Sequence, residues 1–299
     1  MVADVRTVRQ RARMRPWLNR QGRFSWLKAA TLAGCIAPGV ALAYWLATGQ
    51  AGARPIIEAL HETGLWTIRF LLIALAITPA RIVLDWPKIL LVRRMVGVTA
   101  AAYGLVHLSF FVIDQNFQLL AATGEIAHRF YLTIGFVALM GLFALAATST
   151  DAAVRRMGKG WKRLHRAAYV IAALGLFHYT IQSKANVGEP IIFAGLLVWL
   201  LLWRLLPERL RARRVLYPAL ALVSAATAAG LEFAWYDLAT RINAWRLIAA
   251  DETLRFGLRP AHWVAIATLA IFALALLARL RPRGRAIIRP ARVRDGAQA

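Results

Sequence analysis

Three histidines of this sequence, His107, His165 and His178, stand inside long apolar runs. An ionisable side chain at membrane depth is costly, so each of them is a candidate functional residue. A neutral imidazole can ligate a metal ion, relay protons or satisfy a hydrogen bond in a packed interior. The other three histidines lie in or beside predicted linkers and are interpreted as solvated or interfacial side chains: His61, His128 and His262.

The spacing of His107 and His178 predicts that they lie at the same depth. The run that contains His107 begins near Leu91 and the run that contains His178 begins near Lys162, so each histidine follows 16 residues of helix. At about 1.5 Å per residue, both lie about 24 Å along their helices. Two neutral imidazoles on facing helices suit the axial positions of one b-type haem, which needs no covalent thioether. A c-type haem is excluded because the only cysteine is Cys35 and C-x-x-C-H is absent.

His165 lies only one turn inside the inner boundary of its predicted helix, and Arg93 is its candidate counterpart. Arg93 precedes His107 by 14 residues, which places it within about 40° of the same helix face and about 21 Å lower. It could hold a haem propionate or approach a second, inner haem; equally, it could serve only membrane topology. His165 and His178 differ by about 140° in azimuth. Either the helix is tilted or irregular, or the two histidines serve haems on different sides of it.

The composition predicts that much of this chain faces lipid. Of its 299 residues, 60% are hydrophobic and only 17% are charged, which is too apolar for one water-soluble core of this size. The net charge of +24 could suggest a nucleic-acid partner, but the cations sit in short clusters between apolar runs. That pattern sets the topology of a protein in a bilayer. We therefore predict membrane lipid as a partner and no nucleic acid.

We predict an all-α, polytopic transmembrane bundle, because the apolar runs are long enough to span a bilayer. Eight spans are expected, of which about six form a core, at about 27–47, 64–84, 91–113, 129–149, 162–183, 189–206, 214–235 and 260–280. Lys and Arg concentrate in alternate linkers, at 81–94, 155–163 and 204–214. The positive-inside rule then puts both termini on the cytoplasmic side of an inner membrane.

Three parts follow from this arrangement: a basic cytoplasmic tail over 1–26, a haem-binding transmembrane domain over 27–206, and an extension over 207–299 with two further spans and a basic tail. The segment 236–258 suits a helix lying in the interface or an ordinary loop. No internal repeat is evident. No nucleotide-binding motif is present, so any NAD(P)H or ATP chemistry must come from a partner.

Several short motifs around these histidines are similar to those of a known family. They are Arg93-Arg94-Met95-Val96-Gly97, Leu105-Val106-His107-Leu108, Thr148-Ser149-Thr150, Gly158-Lys159-Gly160-Trp161-Lys162-Arg163-Leu164-His165 with Tyr169, and His178-Tyr179. Over roughly residues 55 to 206 they closely resemble the MsrQ family, also called YedZ, within the ferric-reductase-like transmembrane superfamily. That family provides the haem-binding membrane subunit of the periplasmic methionine sulfoxide reductase system.

The resemblance implies an electron conduit rather than a catalytic subunit. Electrons from the quinone pool, or from a cytoplasmic flavin reductase, would pass through one or two b haems to a periplasmic molybdenum-cofactor enzyme that reduces methionine sulfoxide in damaged proteins. The family's haem histidines carry over onto His107, His165 and His178. FMN is also implied, without a motif that places it. The chain departs from shorter family members by the long tail after Pro207.

Three other functions stay open at the level of the sequence. A ferric or cupric reductase would normally add a cytoplasmic FAD and NADPH domain, which is not evident here. A transporter could use the intramembrane histidines as a proton relay, although no Gly/Pro-broken helix pair is evident. A membrane anchor would use them only for packing. A visible absorption spectrum separates the first of these, which binds haem, from the other two.

Overall fold

The computed structural model describes residues 16–18, 21–184, 186–240, 243–246, 249 and 257–280. Most of the predicted tail over 1–26 and the basic C-terminal tail therefore lie outside the described residues. The predicted interfacial segment at 236–258 also lies partly outside them. Within the described residues, α11 continues to Ala239, and Trp245 packs edge-on against Phe233 with ring centroids 5.2 Å apart.

The predicted all-α class is confirmed, since the described part of the chain forms helices and no strand beyond a single isolated bridge. The helices are α1 Trp26–Ala47, α2 Pro55–Val83, α3 Arg93–Asp114, α4 Leu119–His128, α5 Phe130–Ala147, α6 Asp151–Met157, α7 Lys159–Arg166, α8 Ala168–Gln182, α9 Gly188–Leu205, α10 Glu208–Arg211, α11 Tyr217–Ala239 and α12 Pro260–Leu280. Short 3₁₀ turns, Pro87–Val92 and Arg214–Leu216, lead into α3 and α11.

Seven helical segments of the described chain are long and apolar enough to cross a membrane, which makes this a multi-pass membrane protein. They correspond to seven of the eight predicted spans. The exception is the predicted span 162–183, which is not one continuous helix. The structure divides it into α7 and α8, and α8 has only 15 residues, or about 22 Å of helix.

The division between α7 and α8 falls at Ala167, whose amide bonds to the carbonyl of Leu164 in a tighter turn than an α-helix has. The α-helical pattern resumes when the amide of Ile171 bonds to the carbonyl of Ala167. The irregularity lies between His165 and His178. An ideal helix therefore does not relate these two histidines, as the first of the two alternatives for their azimuth expects. The other alternative, that they serve haems on different sides of the helix, stays a prediction.

Helix α2 is the centre of the bundle, and α1 lies at its edge. Half of an 18-residue stretch of α2 is buried, against 11% of the corresponding stretch of α1. The buried side of α2 includes Phe70, Leu71, Leu75 and Ile77. Helix α2 packs along α3, and α5 packs along α8 in the same way. These two helix pairs meet each other and enclose the site described below.

Helices α11 and α12 are packed directly on α9 rather than held apart from it. Gly195 of α9 makes this possible, because a Cβ there would lie 2.6 Å from Val264 and 3.2 Å from Ala228. A second cluster of buried side chains forms at this contact from Val187, Ile191, Ala228 and Val264. Small residues at such contacts allow helices in a membrane to approach closely.

Candidate functional site

His107 on α3 and His178 on α8 line the same cavity, which has a volume of about 340 Å³. The cavity lies between the two helix pairs, and its walls are largely apolar. They include Leu65, Ile68, Leu71, Phe111, Leu132, Phe136, Leu139, Leu142 and Ile171. The structure therefore brings together two of the predicted site residues from positions 71 apart in the sequence.

The ring of His107 is held in one orientation by α2. Its Nδ1 lies 2.8 Å from the main-chain carbonyl oxygen of Leu60. A carbonyl can only accept a hydrogen bond, so Nδ1 carries the proton and Nε2 of a neutral ring keeps its lone pair. The ring lies over Gly64, where an added Cβ would be 2.8 Å from Nδ1. Glycine at this position is what allows the ring to lie against the helix.

His178 is held in the same way by α5. Its Nδ1 lies 2.8 Å from the carbonyl oxygen of Tyr131, and its ring lies over Gly135, where an added Cβ would be 2.6 Å from Nδ1. The Tyr131 ring stacks beside it at a centroid distance of 6.0 Å. No hydrogen bond engages Nε2 of either histidine within the described chain. Both rings thus present an unprotonated Nε2, as metal-ligating histidines do when a main-chain carbonyl fixes the other nitrogen.

The two helix pairs are an internal repeat, so the expectation of no repeat is wrong. Gly135 and His178 each follow Gly64 and His107 by 71 residues, and both histidine-to-carbonyl contacts span 47 residues. The sequence carries the signal as Gly104-Leu105-Val106-His107 and Gly175-Leu176-Phe177-His178. These matched tetrapeptides are short and stand among many apolar residues, so the sequence alone does not distinguish them from chance similarity.

The same register relates the contacts between the two pairs. A Cβ at Gly104 would lie 2.6 Å from Cδ1 of Leu139, and a Cβ at Gly175 would lie 2.7 Å from Cδ1 of Ile68. Leu139 follows Ile68 by 71 residues as well. The helix pairs therefore pack on each other with approximate two-fold symmetry, and the two histidines line the cavity between them.

His165 does not line this cavity. Its Nε2 lies 3.3 Å from Oγ of Ser149, its Nδ1 lies 3.2 Å from the carbonyl oxygen of Trp161, and its ring stacks on the Trp161 ring at 3.9 Å. The Trp161 indole in turn donates to the carbonyl of Thr148. Both nitrogens of His165 thus have a polar neighbour within the protein, unlike those of the cavity histidines.

Arg93 lies close enough to His165 to interact with it electrostatically, and the same holds for Arg93 with Tyr169 and Arg204. The 71-residue register, however, makes Arg94 the counterpart of His165. Arg94 instead forms an ion pair of 2.7 Å with Asp151. The structure thus places Arg93 within electrostatic range of His165. Any role of either residue toward haem stays a prediction.

A hydrogen-bonded chain beside His178 was not predicted. The hydroxyl of Tyr179 donates to Glu189 over 2.9 Å, and Arg69 pairs with the same carboxylate over 2.7 Å. The Arg69 guanidinium also lies over the Trp66 ring, 4.8 Å from its centroid. Arg69 stands alone in the apolar run of α2, and a lone cation at such a position was the available signal.

The remaining histidines agree with their interpretation as exposed or interfacial residues. His61 is exposed and lines the cavity. His128 is exposed too, and its Nδ1 lies 2.7 Å from the carbonyl oxygen of Gly124 in the same helix. Nδ1 of His262 accepts the main-chain amide of Arg259.

A haem fits the donor set of the cavity better than a bare metal ion does. Nowhere in the described ranges do three or more His, Cys, Asp or Glu side chains form a group that could hold a metal ion. His107 and His178 are a set of two ligands with fixed rings and free Nε2 atoms. Such a set suits an iron whose other positions are filled by a porphyrin.

Comparison with known proteins agrees with this site. The family described as "Ferric reductase like transmembrane component" matches residues 63–176, a range that includes Gly64, His107 and Gly135. A relative from Rhodospirillum rubrum, named "Protein-methionine-sulfoxide reductase heme-binding subunit MsrQ", is 43% identical over 188 residues, which cover 62% of this chain and 90% of the relative. The chain belongs to the MsrQ family.

Further members of the family support the same assignment. The MsrQ protein of Caulobacter vibrioides is 41% identical over 60% of this chain and 87% of its own length. That of Brucella anthropi is 38% identical over 59% of this chain and 80% of its own length. In each case more than a third of the present chain has no counterpart in the alignment. No solved structure matches the chain.

Proposed function

We propose that this protein is a haem b electron-transfer subunit, in which Nε2 of His107 and Nε2 of His178 hold the iron. The observation that carries the proposal is the pair of fixed imidazoles on one apolar cavity. The names of the relatives, which describe heme-binding subunits, support it. When bound, haem supplies one-electron redox chemistry that the side chains of this chain lack.

The protein's own contribution is to fix and shield the site. The carbonyls of Leu60 and Tyr131 hold each ring in the tautomer that leaves Nε2 unprotonated. The apolar walls exclude water, which controls dielectric and solvent access at a metal site. Electron transfer through a bound haem requires no side chain that reacts with a substrate. We therefore propose that the chain carries electrons and that a partner reduces the substrate.

We further propose that electrons enter at the end of the bundle that contains His165 and Arg93 and leave at the end that contains His107 and His178. The donor would be the quinone pool or a cytoplasmic flavin reductase, and the acceptor a periplasmic molybdopterin-containing methionine sulfoxide reductase. The concentration of Lys and Arg in alternate linkers supports an inner-membrane orientation with both termini in the cytoplasm. This orientation needs an even number of crossings, so we propose that α7 and α8 together make the eighth crossing beside the seven long apolar segments.

His165 is proposed as an inner ligand or as part of an inner donor site, with Arg93 near it. Ligation by Nε2 of His165 would require that the contact with Ser149 be given up. A second b haem and FMN are further proposals from family resemblance. No residues are assigned to FMN.

The direct test is the visible spectrum of the purified full-length protein, with its haem-to-protein ratio. We expect the low-spin bands of b-type haem after reduction and at least one haem per chain. Protein that is correctly inserted in the membrane but lacks these bands would overturn the proposal.

A transmembrane ferric or cupric reductase is the second candidate, which the name of the matching family favours. Reoxidation of the reduced protein separates the two functions. We expect fast reoxidation by a periplasmic methionine sulfoxide reductase with its oxidised substrate, and slow reoxidation by ferric citrate or a cupric chelate. The reverse order would favour the metal reductase. A proton relay is less suited to the site, because each cavity histidine commits Nδ1 to a carbonyl.

A further inference from the structure

A second cavity, of about 420 Å³, lies at the opposite end of the bundle from His107. Three arginines reach it from separate parts of the fold: Arg81 near the end of α2, Arg214 before α11, and Arg279 near the end of α12. Asp85 also lines it, together with Ile82, Pro87 and Ala212. The cavity therefore joins α2 of the central bundle to the two helices that follow α10.

Arg214 is not held by the protein in the way that its neighbour Arg211 is. The guanidinium of Arg211 donates to the carbonyl of Arg204 over 2.8 Å and to that of Leu206 over 2.9 Å, at the end of α9. Nη1 of Arg214 is buried and, among the residues that the structure describes, has no hydrogen-bond partner. A buried donor of a charged group without an acceptor is costly, so Nη1 of Arg214 favours any ligand or water in the cavity that supplies one.

The charges that line the cavity indicate what that ligand is. Among the described residues that line the cavity, three are arginines and one is acidic, so this part of the lining carries an excess of two positive charges. Arginine binds phosphate oxygens through paired, charge-assisted hydrogen bonds. The volume would hold roughly a dozen waters at about 30 Å³ each, so a phosphate with its ester substituents fits.

We propose that this cavity binds a phosphate group, held by Arg81, Arg214 and Arg279. The phosphate belongs to an anionic phospholipid headgroup or to a soluble phosphate. Basic pockets between transmembrane helices on the cation-rich side are suited to anionic headgroups, and the chemistry is the same for a soluble ligand. The bound phosphate links α2 to α11 and α12, so it stabilises their packing. The proposal does not depend on haem.

The test uses the full-length protein in phosphatidylcholine nanodiscs with two probes. In one arm, native mass spectrometry counts retained phosphatidylglycerol as its fraction in the nanodisc is raised. In the other arm, no anionic lipid is present, and inorganic phosphate is compared with chloride at equal ionic strength for its effect on the midpoint of thermal unfolding. We expect Arg214→Gln to weaken binding of the effective probe about tenfold, as loss of a charge-assisted contact does.

Arg213→Gln is the matched control, since Arg213 is adjacent, exposed and carries the same charge without lining the cavity. It should bind like the wild type. Retention of phosphatidylglycerol alone identifies a lipid source, and a response to inorganic phosphate alone identifies a soluble source. If Arg214→Gln does not fold, Arg81→Gln and Arg279→Gln take its place. If neither probe binds, or if the control loses as much binding as the cavity variants, the site does not exist.

Discussion

The two histidine regions of this protein use the same side chain in different ways. At one end, His107 and His178 share an apolar cavity, and each has one nitrogen fixed by a carbonyl and one free. At the other end, His165 is stacked on Trp161 and has a polar neighbour at both nitrogens. Depth in the membrane therefore identifies histidines that are candidates for a function. The second ring nitrogen then distinguishes them: it is available for ligation in His107 and His178, and it has a polar neighbour in His165.

The glycines beneath the cavity histidines account for much of this difference. Gly64 and Gly135 allow each ring to lie against the neighbouring helix while Nδ1 reaches a carbonyl one turn away. A ring held in this way loses little conformational freedom on ligation, so more of the bond energy is kept as affinity. His165 has no such support in the described structure, and its ring would have to change partners.

The largest of the following effects is expected from filling the space beneath His178. In Gly135→Ala, the new methyl group would lie 2.6–2.9 Å from three atoms of the ring, so the ring must leave its position. Overpacking of this kind costs about 1–3 kcal/mol, or about 5- to 150-fold in haem affinity. Haem titration of the apoprotein measures it.

Gly64→Ala should act in the same direction through His107, and Gly230→Ala is the control because nothing lies within 4 Å of a Cβ there. Unchanged affinity in both Gly135→Ala and Gly64→Ala would show that the orientation of the rings is not what holds the haem.

The substitution His165→Ala tests whether the two histidine regions act independently. Because His165 does not line the cavity, the low-spin signal of the His107 and His178 site should be kept, at least in part. Electron entry should be impaired, since His165 lies on the proposed donor side. Stopped-flow reduction of the purified protein by a quinol and by a flavin reductase measures entry, and the static spectrum measures the site. Complete loss of the haem signal would mean that the two regions are not independent.

A smaller effect is expected from the hydrogen-bonded chain beside His178. Glu189→Gln removes the carboxylate that pairs with Arg69 and accepts from Tyr179. We expect a loss of about 1–3 kcal/mol in stability, because hydrogen bonds to charged groups are among the stronger ones. Thermal unfolding followed by circular dichroism measures it. Glu125→Gln, which breaks the exposed pair with Arg129, should leave the midpoint unchanged. Equal losses of stability in Glu189→Gln and Glu125→Gln would show that the pair of Glu189 with Arg69 contributes no more than an exposed ion pair.

The smallest effect on the haem signal is expected from truncation after Arg209. The helices thus removed, α11 and α12, supply no residue to the cavity of His107 and His178. The spectrum should be retained, with a lower yield because α9 loses its packing partners at Gly195. Inserted protein without haem would show that the site depends on these helices.

Much of this arrangement can be predicted from the sequence. The remaining features cannot, and each has a physical reason. Apolar length predicted seven of the spans. Equal spacing predicted that His107 and His178 lie at the same depth, and the structure has both lining one cavity. The break at Ala167 was not predictable, because no proline or glycine marks it and the change is a single tighter turn. The supporting glycines could not be identified either, since a glycine in an apolar run has many uses. The 71-residue register was present in the sequence, but its meaning depends on contacts between distant helices.

The most direct test of the central claim is haem content and spin state in His107→Ala and His178→Ala, beside His128→Ala as a control on an exposed residue. Removal of either Nε2 leaves an apolar cavity in which water is a poor replacement ligand. The account predicts that both variants lose the low-spin b-type spectrum, through loss of haem or conversion to high spin, while His128→Ala keeps it. Wild-type spectra in both His107→Ala and His178→Ala would contradict the account.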